Sequence, residues 1–470
     1  MITRKSNRNT VVRSFVAAAL AAAALVAVAA GPNEISSGPA VEAQAPTLGA
    51  GGEYHPVPPS RVFDSRRTGG ARPTSAQGST FDIDLLGRGG VPSEAGSVLA
   101  VVANVTVADP TAAGFLSMSP TGSKAGVSSL VNFNTGENVP NLAIVGVGQA
   151  GKASITLVTP AGAGTANVLV DVFGWISTSG YADAADTGGR FVPVGPSRVL
   201  DTRSVPVPAG WQGGRPLGAA EQLTLPIRGA NGLVPNSSNV TGVMVNITAV
   251  NDAPGNAATF ISATPERTPS GMEPATSVTN VNAGQIKANM AIVPVGADGS
   301  IRLYNSRGAT HLIVDVLGYL ESGVSETSRA GRVIPLDAPF RVFDTRQAAF
   351  GNAPLGFATK EDWSFRAFAE SVSLNGTPLG DQSALIGNLT GTDLAPVRAG
   401  AAVTTYLTMY PGSGSPPNVS NINVTPGRSV PNMSLLRYGT VGDDPYTIAA
   451  FNYDGALHYL LDVYAVVLAG

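Results

Sequence analysis

One six-residue phrase occurs three times in this chain and constrains it more than any other feature. It reads Arg61-Val62-Phe63-Asp64-Ser65-Arg66, then Arg198-Val199-Leu200-Asp201-Thr202-Arg203, then Arg341-Val342-Phe343-Asp344-Thr345-Arg346. Asp64 and Asp201 are 137 residues apart and Asp201 and Asp344 are 143 apart, a period the size of an ordinary domain. A chain of 470 residues is therefore read as three copies of one unit, each long enough to bury a core.

The copies are expected to be all-β. Only 13% of residues are charged, against about 25% in an average protein, while 56 are Gly and 35 are Pro. Few charges among many turn formers favour short strands over helices. Alternating runs follow each phrase: Phe81-Asp82-Ile83-Asp84-Leu85, Leu223 to Ile227, and Trp363 to Phe368. Each is predicted as a strand with one buried face. Near-continuous apolar runs close the units at Val168 to Trp175, Leu312 to Tyr319 and Tyr459 to Ala465, as central strands buried on both faces. The fold expected is three tandem, homologous, sandwich-like or barrel-like modules at 54–177, 190–321 and 332–470. Short polar joints between them predict limited hinging.

Ahead of the first module, Arg4, Lys5, Arg8 and Arg13 precede the apolar run Phe15 to Ala30, which has the regions of a secretory signal peptide over 1–30. An alanine-dominated run this short disfavours a retained membrane anchor. Residues 31–53 read as a flexible leader. A net charge of −3 supplies no basic field for nucleic acid or anionic lipid. The absence of cysteine rules out disulfides, thiolate zinc sites and a cysteine nucleophile.

Two sets of repeated polar residues are the candidates for function. The first comprises Asp64, Asp201 and Asp344 with Asp171, Asp315 and Asp462, beside Arg61, Arg66, Arg198, Arg203, Arg341 and Arg346. Paired carboxylates could serve glycoside hydrolysis. The favoured reading is a structural ion pair, with Arg61 or Arg66 neutralising Asp171 if the first and last strands are neighbours, because a lone buried carboxylate is costly. The second set is Asn104, Asn246 and Asn388, each in an Asn-x-Thr triplet, with Asn141, Asn289 and Asn432. The triplets sit inside apolar strands, so they are read as buried amides bonding backbone at a strand end rather than as glycan acceptors. The second Asn of each pair closes the spacing Asn-x3-Gly-x4-Asn, as in Asn132, Gly136 and Asn141. That spacing predicts a hairpin whose Gly takes positive φ, with a ligand-binding Asn cluster as the alternative.

His311 and His458 occupy equivalent places four residues before Asp315 and Asp462. A His-Asp relay is conceivable there, but no nucleophile context accompanies it. Asp443-Asp444 and Asn251-Asp252 lack a calcium-loop pattern, so no metal or cofactor is expected. Tyr304, Tyr319, Trp175, Tyr453 and Tyr459 could form a sugar-stacking platform.

The Arg-Val-x-Asp-Thr-Arg phrase, with Gly90-Val91-Pro92, Asn104-Val105-Thr106, Gly114-Phe115-Leu116 and Asp315-Val316-Leu317-Gly318-Tyr319, resembles a repeat common in secreted, cell-surface-associated proteins of actinobacteria. There it occurs alone or attached to exported hydrolases. The resemblance spans residues 54 to 470 and implies an extracellular accessory or structural role without assigned catalytic residues. The third copy departs from it, lacking the Gly-Val-Pro turn and carrying Ala465 for the final Gly, as expected of a terminal cap. The function expected is a non-enzymatic structural or adhesive role at the cell surface, with glycan binding as the alternative and hydrolysis behind it. The partners expected are a cell-wall glycan, a surface protein or further copies of this chain, with neither nucleic acid nor membrane.

Overall fold

The computed structural model describes residues 12–14, 51–67, 79–123, 128–159, 164–181, 187–204, 213–325, 327–374, 377–378, 380–397 and 404–470. The expected signal peptide and leader lie outside these residues, except for Val12–Ser14, a three-residue strand parallel to Thr359–Ser364, and residues 51–53.

Eight strands recur in each copy. In the first they are β1 (Tyr54–Asp64), β2 (Ser79–Asp84), β3 (Val98–Ala108), β4 (Gly114–Pro120), β5 (Val131–Phe133), β6 (Val139–Gly146), β7 (Lys152–Val158) and β8 (Asn167–Ser177). In the second they are β9 (Arg190–Asp201), β10 (Glu221–Pro226), β11 (Val240–Asn251), β12 (Thr259–Thr264), β13 (Thr279–Val281), β14 (Gln285–Pro294), β15 (Ser300–Asn305) and β16 (His311–Glu321). In the third they are β17 (Val333–Asp344), β18 (Thr359–Ser364), β19 (Gln382–Ala395), β20 (Thr405–Pro411), β21 (Ile422–Val424), β22 (Val430–Arg437), β23 (Asp444–Asn452) and β24 (Ala456–Leu468).

The first copy forms two antiparallel sheets in the orders β1-β8-β3-β6 and β2-β7-β4-β5, and the other two copies repeat both orders. This is the strand order of an eight-stranded jelly roll. As the apolar runs require, β8, β16 and β24 are interior strands, flanked by β1 and β3 or their equivalents.

The expectation of separate modules strung in tandem on hinging joints is corrected. The six sheets form one propeller-like ring around a shared centre. The cause is visible at the start of each copy, where backbone bridges join Tyr54 to Gly189 and Gly52 to Val333. The third side is closed by the Phe191 N–H donating to the Gly331 carbonyl (2.9 Å). Arg190 is buried and donates to Glu53 of the first copy and to the carbonyls of Ser328 and Ala330 before the third. The core of the first copy also continues into Met244, Met290, Ile386 and Met433 of the other two. The third copy is therefore not a terminal cap, since it touches the first as the first touches the second.

Two local expectations are also corrected. The third copy's alternating strand is Thr359–Ser364, four residues early, and Arg366–Ser371 is helix α1. A slip by an even number of residues keeps every side chain on its face, so alternation alone cannot detect it. Gly136, Gly284 and Gly427 do take positive φ, at 74°, 76° and 74°. The connection they serve is not a hairpin, because β5 pairs with β4 while β6 pairs with β3, so the chain arches from one sheet to the other.

Candidate functional site

The repeated phrases meet on one rung of a sheet. Asp171 on β8 is flanked by Arg61 on β1 and Asn104 on β3. The same rung is Arg198–Asp315–Asn246 in the second copy and Arg341–Asp462–Asn388 in the third. A register shift falls between Arg61 and Phe63, between Arg198 and Leu200, and between Arg341 and Phe343. Such a bulge re-aims the side chain beside it. Arg61 thereby grips Asp171 with both Nε (2.8 Å) and Nη2 (2.9 Å). Arg198 holds Asp315 at 2.9 and 3.3 Å, and Arg341 holds Asp462 at 2.8 and 3.0 Å. Burial pushes the carboxyls of Asp315 and Asp462 up, and the arginines only partly offset it.

The second arginine of each phrase folds back on its own aspartate. Arg66 binds Asp64 bidentately at 2.9 and 2.8 Å, as Arg203 binds Asp201 and Arg346 binds Asp344. Held first of all by Arg66, Asp64 titrates at about 2. For Asp201 and Asp344 burial pushes upward, but the arginine bonds outweigh it and hold both below the usual carboxylate range.

The six asparagines form a closed circuit between copies. Asn104 donates to the Ser277 carbonyl of the second copy (2.8 Å), Asn246 to the Ser420 carbonyl of the third (2.5 Å), and Asn388 to the Ser129 carbonyl of the first (2.7 Å). The other three answer them. Asn141 donates to Asn388 (2.9 Å), Asn289 to Asn104 (3.3 Å) and Asn432 to Asn246 (2.8 Å). All six are buried. The triplet asparagines thus sit mid-strand and bond a neighbouring copy, not a strand end of their own.

The remaining candidates are not brought together. His311 and His458 face Thr202 and Thr345, each at 3.0 Å, instead of Asp315 and Asp462. Trp175, Tyr304, Tyr319 and Tyr459 are buried, which removes them from any platform. Tyr453 is 52% exposed and stacks on Tyr406 at 4.7 Å. Among the described residues no group of three or more His, Asp or Glu is placed to hold a metal. No helix among them is long and apolar enough to cross a membrane.

A cavity lies where the three arches converge. It has a volume of about 430 Å³ and draws its lining from all three copies. The residue after the arch glycine is Glu137, Gln285 or Arg428, and these meet directly. Gln285 donates to Glu137 at 2.7 Å, and Arg428 approaches the same oxygen at 2.5 Å. Burial pushes Glu137 up, but Gln285, Lys287 and Arg428 more than offset it and hold it below its ordinary value. Lys287, half-buried, donates to the Asn138 carbonyl at 3.3 Å. Its ammonium is pushed down to about 8 by burial, with Arg428 adding to the shift and Glu137 opposing it. These residues escaped the sequence reading. The signal that could have found them is positional, because three different chemistries stand at one place in otherwise matching arches.

No protein-family model matches the chain, and no curated protein sequence matches it. Solved structures give low-scoring likenesses. The N-terminal CBM22-1-CBM22-2 tandem domain of Xyn10C from Paenibacillus barcinonensis is 14% identical over 59% of this chain and 100% of that one, with a TM-score of 0.16. A triple jelly-roll protein of an archaeal virus turret is 8% identical over 89% of this chain and 91% of its own, with a TM-score of 0.17. A chain of Sulfolobus Turreted Icosahedral Virus is 7% identical over 89% and 92%, with a TM-score of 0.16. Scores this low carry no argument about this chain.

Proposed function

We propose that this chain is an exported, non-enzymatic protein of the cell surface with a structural or adhesive role, built from homologous β repeats behind a signal peptide. The observation that carries the reading is how the repeated polar residues are used. Each repeated carboxylate is gripped bidentately by an arginine, and each repeated asparagine ties one copy to another. Side chains occupied in this way serve a rigid body. The N-terminal apolar run and the actinobacterial resemblance support export and a surface location.

The test is sedimentation of the mature protein alone and with actinobacterial cell walls or insoluble polysaccharides. Pelleting of the protein alone, or with walls, supports the reading. Hydrolysis of any of these polysaccharides would overturn it. A second reading, glycan binding, is favoured by the Tyr406–Tyr453 stack, a flat aromatic surface open to solvent. Saturable pelleting with one polysaccharide, abolished by Tyr453→Ala, would support that reading over the first.

A further inference from the structure

The arches that build the axial cavity match position by position, which makes their differences informative. Three residues beyond the arch glycine, the first and third copies carry Val139 and Val430, whereas the second carries Lys287. A lysine in a valine's place is costly to bury unless its charge is matched. The nearby carboxylate of Glu137 is already occupied by Gln285 and Arg428 and accepts from Asn134 at 3.3 Å. Lys287 has three donors, and its hydrogen bond is the long one to the Asn138 carbonyl.

A second donor on the same wall has no partner at all. Asn132 and Asn280 each donate to a serine hydroxyl of their own copy at 3.2 Å. Their equivalent, Asn423, has a buried amide nitrogen with no partner. A buried donor left unmade is expensive, and native proteins rarely leave one without a reason. The unused N–H groups of Lys287 and the Asn423 amide are donors, so what would satisfy them is an acceptor. The walls beside them, at Val139, Pro140, Ile286 and Pro431, are apolar.

We propose that the axial cavity binds a small carboxylate-bearing ligand, its carboxylate received by Lys287 and the Asn423 amide and its body lying against the apolar wall. The volume of about 430 Å³ falls within the usual range for small-molecule sites. Because all three copies supply the lining, the site exists only when the ring is closed, and an occupant fastens the copies together. Ammonium–carboxylate contact would also reverse the downward push that burial gives Lys287, so binding just above pH 8 should take up a proton. The inference is independent of whether the surface role is structural or glycan-binding.

The test is titration calorimetry on the full-length protein with D-glucuronate, isobutyrate and D-glucose, repeated near pH 8 in two buffers of different ionisation enthalpy. The expected result is saturable binding of at least one carboxylate, none of glucose, and proton uptake. Glucuronate binding more tightly would point to an acidic sugar as the source, and isobutyrate to an aliphatic acid. Lys287→Met should weaken binding roughly 10- to 100-fold, the scale of a lost charged hydrogen bond. Asn423→Ala provides a second variant should Lys287→Met misfold, and it too should weaken binding. Failure of both carboxylates to bind, equal binding of glucose, or full affinity in a folded Lys287→Met protein would each overturn the proposal.

Discussion

At the scale of single residues, the chain concentrates its strongest polar contacts on three buried carboxylates. Asp315 is 1% exposed and Arg198 on the same rung is 20% exposed, so solvent does little to screen their contact. Asp315 also accepts from the Ser420 N–H of the third copy at 3.4 Å. Asp315→Ala leaves the guanidinium facing a cavity and a neighbouring amide without its acceptor. The expected cost is about 3–5 kcal/mol, the scale for stranding one member of a buried pair. Urea unfolding of the whole chain measures it, and an unchanged midpoint would refute the assignment. The pairing of first-strand arginine with last-strand aspartate was legible in the sequence, because a buried carboxylate demands a cation. Which arginine answers was not, because the choice depends on a one-residue bulge that leaves no pattern of its own.

Elements show where such reading ends. Strand identity came through wherever apolar runs were long, as in β8, β16 and β24. The slip in β18 and the helix that follows were invisible, since alternation repeats every two residues and Arg366-Ala367-Phe368-Ala369 suits either state. The arches show the complementary limit. Positive φ at Gly136, Gly284 and Gly427 was readable from spacing, but whether the chain turns back or crosses sheets depends on partners far away in sequence. The axial cavity was not legible at all, because its walls come from three arches that no local pattern links. Gly136 gives a clean test of the arch conformation, since a Cβ there would meet nothing within 4 Å. Gly136→Ala should therefore cost about 1–2 kcal/mol from its left-handed backbone alone. Thermal melting checks this, and a variant as stable as the parent would show that the arch relaxes without strain.

For the whole molecule, the question is whether three copies behave as three domains or as one. Independent domains should unfold in separate steps, as multi-domain chains commonly do. Here the backbone bridges at Gly52, Gly189 and Gly331 and the circuit of six asparagines put every copy in contact with both others, and the first core extends into its neighbours. Losing one copy would expose the facing surfaces of the remaining two and strand their amides, so partial unfolding gains little chain entropy for a large loss of contacts. Calorimetry should show a single transition in which the van't Hoff and calorimetric enthalpies agree. Asn246→Ala sharpens the test, because it removes the acceptor for Asn432 and the donor to the Ser420 carbonyl, at a cost of about 1–3 kcal/mol for groups left unmade. In a coupled ring that cost lowers the one transition as a whole. If the second copy melted ahead of the others in this variant, the contacts between copies would be too weak to bind the ring into a unit, and the tandem arrangement read from the sequence would describe the energetics better than the closed ring does.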